Sequence, residues 1–137
     1  MTAPDTLRPI EILMIEDSPT DVLMAREALD HAKVLNRLHV AEDGVAAMAF
    51  LRQQGRYADA PRPGLILLDL NMPRMDGFQV LQEMKADPLL REIPVAILSA
   101  SNLPDERDRA LAAGAVSLIQ KPLTIENFTR VVQAHVR

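Results

Sequence analysis

The chain has 137 residues, enough for one domain with a real core, and 48% of them are hydrophobic, which excludes a disordered segment. Fifteen basic and nineteen acidic residues give a net charge of -4, and no Arg/Lys stripe stands out, so binding to nucleic acid through bulk charge is excluded. Cysteine is absent, which rules out disulfides and thiolate metal sites.

No apolar run approaches the roughly 20 residues of a membrane span. The polar start, Met1 to Arg8, has no apolar signal segment, so a cytoplasmic location is expected. His31, His39 and His135 have spacings that suit no shared metal motif and read as structural or surface residues.

Residues 10–15 (Ile-Glu-Ile-Leu-Met-Ile) form an apolar run that predicts a first buried strand, running into Glu16, Asp17, Ser18 and Pro19. A polar cap followed by proline opens a helix, and Val22, Ala25, Leu29 and Ala32 give that helix an apolar face. Residues 37–41 predict a weaker second strand. Asp43 and Gly44 open a second helix with Ala47, Phe50 and Leu51 on one side, ending near Gly55; residues 57–64 read as a connecting loop.

The third strand, Leu65 to Asp69, is four aliphatic residues followed by an acid. A continuous short run of this kind suits a strand covered on both faces, as in a parallel sheet. The third helix follows Gly77, with Val80, Leu81 and Met84 inward, and Asp87-Pro88 stops it. A fourth strand is expected over 94–98, ending in Ser99, Ala100 and Ser101. A fourth helix runs from Pro104 to Gly114, and a fifth strand spans 116–119 ahead of Lys121-Pro122. Thr124 caps a final helix whose inner residues are Ile125, Phe128, Val131 and Val132. Five strands alternating with five helices imply a three-layer α/β sandwich with right-handed crossovers, in one domain without repeats.

Parallel strands share a direction, so their carboxyl ends lie on one edge, where open α/β sheets place ligand sites. Four strands end in polar groups: Glu16-Asp17, Asp69, Ser99 and Lys121. Each has an ordinary structural role available, since Asp17 can cap a helix, Asp69 or Ser99 can serve a turn, and Lys121 can be a surface charge. Capping alone is a poor account of all four meeting at one edge. Clustered carboxylates repel, and Mg²⁺, which favours oxygen ligands, relieves that repulsion. Asp17, Asp69 and the Asn71 carbonyl are candidate ligands, with Glu16 reaching metal-bound water. Lys121 and Ser99 suit phosphoryl oxygens. Asp69 is then the candidate nucleophile that forms an acyl phosphate.

The set Glu16-Asp17, Asp69, Ser99 and Lys121-Pro122, with Asp69-Leu-Asn-Met-Pro-Arg-Met-Asp-Gly77, resembles the receiver domain of two-component response regulators over roughly residues 10–136. The resemblance implies a flavodoxin-like, doubly wound sheet in the order 2-1-3-4-5. It implies that Asp69 takes a phosphoryl group from a phosphohistidine on a sensor histidine kinase or phosphotransfer protein, with Mg²⁺ held by Asp17, Asp69 and the main chain of Asn71. Ser99 and Lys121 match the family's switch hydroxyl and lysine.

The pattern departs from the family's at Leu118, where a switch aromatic usually stands three residues before the lysine. No output domain is expected, which suits a stand-alone regulator or phosphorelay intermediate that signals by covalent state and is not a turnover enzyme. Residues 52–63 and 85–94 resemble the small regulators that partner bacterial phytochrome kinases. Such regulators often dimerise through helix 4, strand 5 and helix 5. Leu103, Leu111 and Leu118 are candidates for interface or packing. An aspartate-nucleophile phosphatase would want a second acid at Asn71, and a nucleotide or flavin module would want a Gly-rich loop in place of Glu-Asp-Ser-Pro.

Overall fold

The computed structural model describes residues 8–70, 76–101 and 103–136. Five parallel strands, β1 (Ile10–Ile15), β2 (Asn36–Ala41), β3 (Leu65–Asp69), β4 (Val95–Ser99) and β5 (Ser117–Gln120), form one sheet in the order β2-β1-β3-β4-β5. Between and after them lie α1 (Pro19–Asp30), α2 (Gly44–Leu51), α3 (Gly77–Ala86), α4 (Pro104–Ala112) and α5 (Ile125–His135), with a 3-10 turn at Gly55–Tyr57. The doubly wound order inferred from the resemblance is the one observed.

Side chains alternate across each strand, so the sheet divides the interior in two. Leu13, Ile15, Ile66, Leu68, Val95 and Ile97 pack on one side with residues of α2, α3 and α4. Ile12, Met14, Leu65, Leu67, Ala96 and Leu98 pack on the other with α1 and α5. All five residues of β3 and of β4 are buried, which is why those segments read as unbroken apolar runs. Edge strand β2 buries only Ala41 fully, so its signal in the sequence is weak.

Capping agrees with the residues singled out above. The side chain of Ser18 accepts from Asp21 N, Asp43 from Ala46 N and Thr124 from Asn127 N. Asp76 and Gln79 form a reciprocal capping box at α3.

Some expected boundaries move. β4 and β5 each lie one residue further along than expected, because their pairing continues through Ser99↔Gln120. α2 stops at Leu51, since Gln53 already has φ of 54°, in the left-handed region. Gly114, just past α4, has φ of 108° and ends that helix as expected. Ile125, placed on the inner face of α5, is 40% exposed at the helix's first position. Among the described residues, no helix is long and apolar enough to cross a membrane.

Candidate functional site

The carboxyl ends of β1, β3, β4 and β5 bring four predicted residues together. Glu16 follows β1 directly, and its backbone N–H is held by Ala41 O at 3.0 Å. Asp69 is the last residue of β3, paired with Leu98 of β4, and Ser99 ends β4. Lys121 follows β5, its N–H donating to Ser99 O at 2.7 Å, and the Lys121–Pro122 peptide is cis.

Glu16, Asp69 and Ser99 are the buried polar side chains of the molecule among the described residues. Burial of a charge is costly unless it is paired, so their partners matter. The Lys121 ammonium lies 3.0 Å from Glu16 Oε1, 3.2 Å from Asp69 Oδ1 and 2.9 Å from Asp21 Oδ2. Asp17 stands exposed beside them, and carboxylate oxygens of Glu16, Asp17 and Asp69 lie within 4.8 Å of one another. Three carboxylates thus surround one ammonium, with a fourth, Asp17, beside two of them.

The electrostatics follow from that imbalance. Burial pushes the Glu16 carboxyl up from 4.5 to about 7; a hydrogen bond with Asp69 and its charge push the same way, and Lys121 opposes them. Burial alone would lower the Lys121 pKa, but hydrogen bonds to Asp21 and Glu16 and the charge of Asp69 outweigh it and raise it. Lys121 is therefore a permanent cation here.

A hard divalent cation fits this donor set. The three clustered groups offer oxygens alone, the choice of Mg²⁺ or Mn²⁺ over softer metals. Glu16 Oε1 is buried, with the Lys121 ammonium as its neighbour at 3.0 Å. The expected fourth donor, the main chain of Asn71, lies outside the described residues.

The close approach at Gly77 has a steric cause. A Cβ there would stand 2.7 Å from Asp69 O and 3.0 Å from Leu70 Cα. Glycine is required because α3 starts against the end of β3, and not for an unusual backbone angle; Gly77 N donates to Leu70 O at 3.2 Å.

Two residues escaped the reading of the sequence. Asp21 lies in the first turn of α1, where an acid is ordinarily explained by the helix dipole. Glu106 of α4 accepts a hydrogen bond from the Ser99 hydroxyl. The expected phosphoryl-facing donor is thus engaged with a helix carboxylate. Leu118 is 5% exposed and packs in the core on the α4 side, so it is a packing residue; Leu103 and Leu111 are exposed. The three histidines stand apart from the site. His31 bonds Glu27 O, His39 lies by Glu11 and Phe50, and His135 is in the last turn of α5.

Comparison with known proteins agrees with this arrangement. Response regulator Rcp1 of Synechocystis sp. is 40% identical over 125 residues, covering 91% of this chain and 85% of that protein. The crystal structure of the Mn²⁺-bound form of Rcp1 superposes with a TM-score of 0.77, covering 92% of this chain and 91% of that one, at 40% identity. That of the phosphorylated cyanobacterial phytochrome response regulator RcpA gives 0.78, covering 93% and 91%, at 38% identity. Residues 12–133 match the family described as the response regulator receiver domain, and the chain belongs to that family.

Proposed function

We propose that the protein is a phosphoacceptor switch. Asp69 accepts a phosphoryl group from a histidine kinase, and the phosphorylated form signals through altered partner binding. The observation that carries this is the meeting of Lys121 with Asp69 at 3.2 Å inside a cluster of carboxylates. An ordinary structural role is a poor account of two buried carboxyl groups set side by side.

In this reading an Asp69 carboxylate oxygen attacks phosphorus in line. The O–P bond forms as the bond from phosphorus to the imidazole nitrogen of the donor breaks, and that nitrogen keeps the electron pair. Asp69 is fixed for attack because it ends a fully buried strand. Lys121 supplies a permanent positive charge for the phosphoryl oxygens, and Ser99 a hydroxyl donor. Glu16, Asp17 and Asp69, with the main chain of Asn71, would hold Mg²⁺. When bound, the ion supplies neutralisation of the carboxylates and of the transferring group. The protein's own part is acceptance and release of one group, not turnover of a substrate. The likeness to RcpA supports a phytochrome-type sensor kinase as the donor.

Incubation with Mg²⁺ and acetyl phosphate, followed by mass spectrometry, tests the acceptor. One phosphoryl group is expected on the wild type and none on Asp69→Asn. Undiminished stoichiometric labelling of that variant overturns the assignment.

A further inference from the structure

We propose that Glu106 is the resting partner of the Ser99 hydroxyl and ties α4 to the phosphoacceptor site, so that a phosphoryl group on Asp69 takes the hydroxyl and frees the helix. This rests on the reading of Asp69 as the acceptor.

A serine hydroxyl has one hydrogen. In Ser99 that hydrogen is given to Glu106, while the oxygen accepts from Ser101 N at 3.1 Å. Ser101 Oγ in turn accepts from Leu103 N at 3.2 Å, at the entry to α4. Hydrogen bonds thus link one buried hydroxyl, on the residue after Asp69's pairing partner, Leu98, through Ser101 to Leu103. Donation to Glu106 and donation to a phosphoryl oxygen exclude each other. Two mutually exclusive contacts at one atom are thermodynamically coupled, and the coupling acts in both directions.

α4 is built to respond. Among its nine residues, Ala110 alone is buried, and its N-cap Leu103 offers no side-chain cap. The Arg109 guanidinium stacks on Phe78 of α3 at 4.0 Å, which fixes the second half of the helix. Glu106 is the tether of the first half. Leu118, buried and aliphatic, has no hydroxyl or ring with which to relay a movement of Ser99. The contact between Ser99 and Glu106 reaches α4 without it.

Beryllofluoride with Mg²⁺, a mimic of the phosphoryl group, tests the proposal on wild type, Glu106→Ala, Ser99→Ala and the double variant. Loss of a charge-assisted, partly exposed hydrogen bond is expected to tighten beryllofluoride binding roughly five- to tenfold in Glu106→Ala. The same substitution in the Ser99→Ala background is expected to change nothing. Amide exchange over 104–112 should quicken in the wild type on adding beryllofluoride, and should already be quick in Glu106→Ala without it. Glu106→Gln, which keeps the shape, should fall between.

An unchanged affinity in Glu106→Ala overturns the proposal. So does an equal gain in the Ser99→Ala background, which would reduce Glu106 to a nearby charge. If wild type binds beryllofluoride and either result is found, this inference alone fails. If wild type does not bind it, the acceptor reading fails and carries this inference with it.

Discussion

Removing the charge of Glu16 should stabilise the metal-free protein at high pH and leave it nearly unchanged at low pH. In the folded chain burial, together with Asp69, raises the Glu16 pKa from 4.5 to about 7. The folded state therefore binds that proton more tightly than the unfolded state does. Between those values the folded protein carries more protons, so the free energy of unfolding falls as pH rises. The penalty is absent below the unfolded value and complete above the folded one. A difference of roughly 2.5, at about 1.4 kcal/mol for each pH unit, gives up to about 3 kcal/mol. Urea unfolding followed by circular dichroism, with chelator present, measures it at pH 5 and pH 8. Wild type should lose about 2–3 kcal/mol more than Glu16→Gln between the two conditions. Saturating Mg²⁺ at pH 8 should narrow the gap, because a cation compensates the same charge. Parallel pH profiles for the two proteins would refute the reasoning.

Gly77→Ala should cost about 1–3 kcal/mol in denaturant unfolding, because its Cβ would meet Asp69 O at 2.7 Å and backbone must move; an unchanged midpoint would mean that α3 sits further off. Phe128→Ala, a fully buried ring on the α1/α5 side, should cost about 3–5 kcal/mol by the same assay, and a loss below about 1 kcal/mol would contradict its place in the core. Asp17→Ala should leave stability within about 0.5 kcal/mol, since the side chain is exposed. The same change should weaken Mg²⁺ binding, read by calorimetry, by roughly tenfold or more, and an unchanged titration would remove Asp17 from the ligand set.

The sheet was legible wherever both of its faces are covered. β3 and β4 carry aliphatic runs, and β1 one broken only by Glu11, because helices lie on each side. The caps at Ser18, Asp43 and Thr124 were legible because capping acts within three residues, which sequence spacing captures. β2 read weakly because an edge strand is half covered. The end of α2 was misplaced because Gln53, and not the following Gly55, is the first residue to leave helical geometry for a positive φ. Nothing in the residue type announces a glutamine in that conformation.

The site divides along the same line. Strand-end residues were found because a parallel sheet forces strand ends together whatever the loops do. Asp21 and Glu106 were missed because they come from helix surfaces, where the side reached depends on how the helix is rotated against the sheet. An acid in a first turn, or within Pro-Asp-Glu-Arg-Asp-Arg, reads as solvated charge. Both nonetheless occupy donors that the proposed acceptor chemistry would use. Lys121 divides its ammonium among Glu16, Asp21 and Asp69, and Ser99 gives its one hydrogen to Glu106. On the proposed function, a phosphoryl group on Asp69 would have to win these donors from carboxylates already holding them. Residues that never touch the group, Asp21 and Glu106, would then help to set how tightly the site holds it.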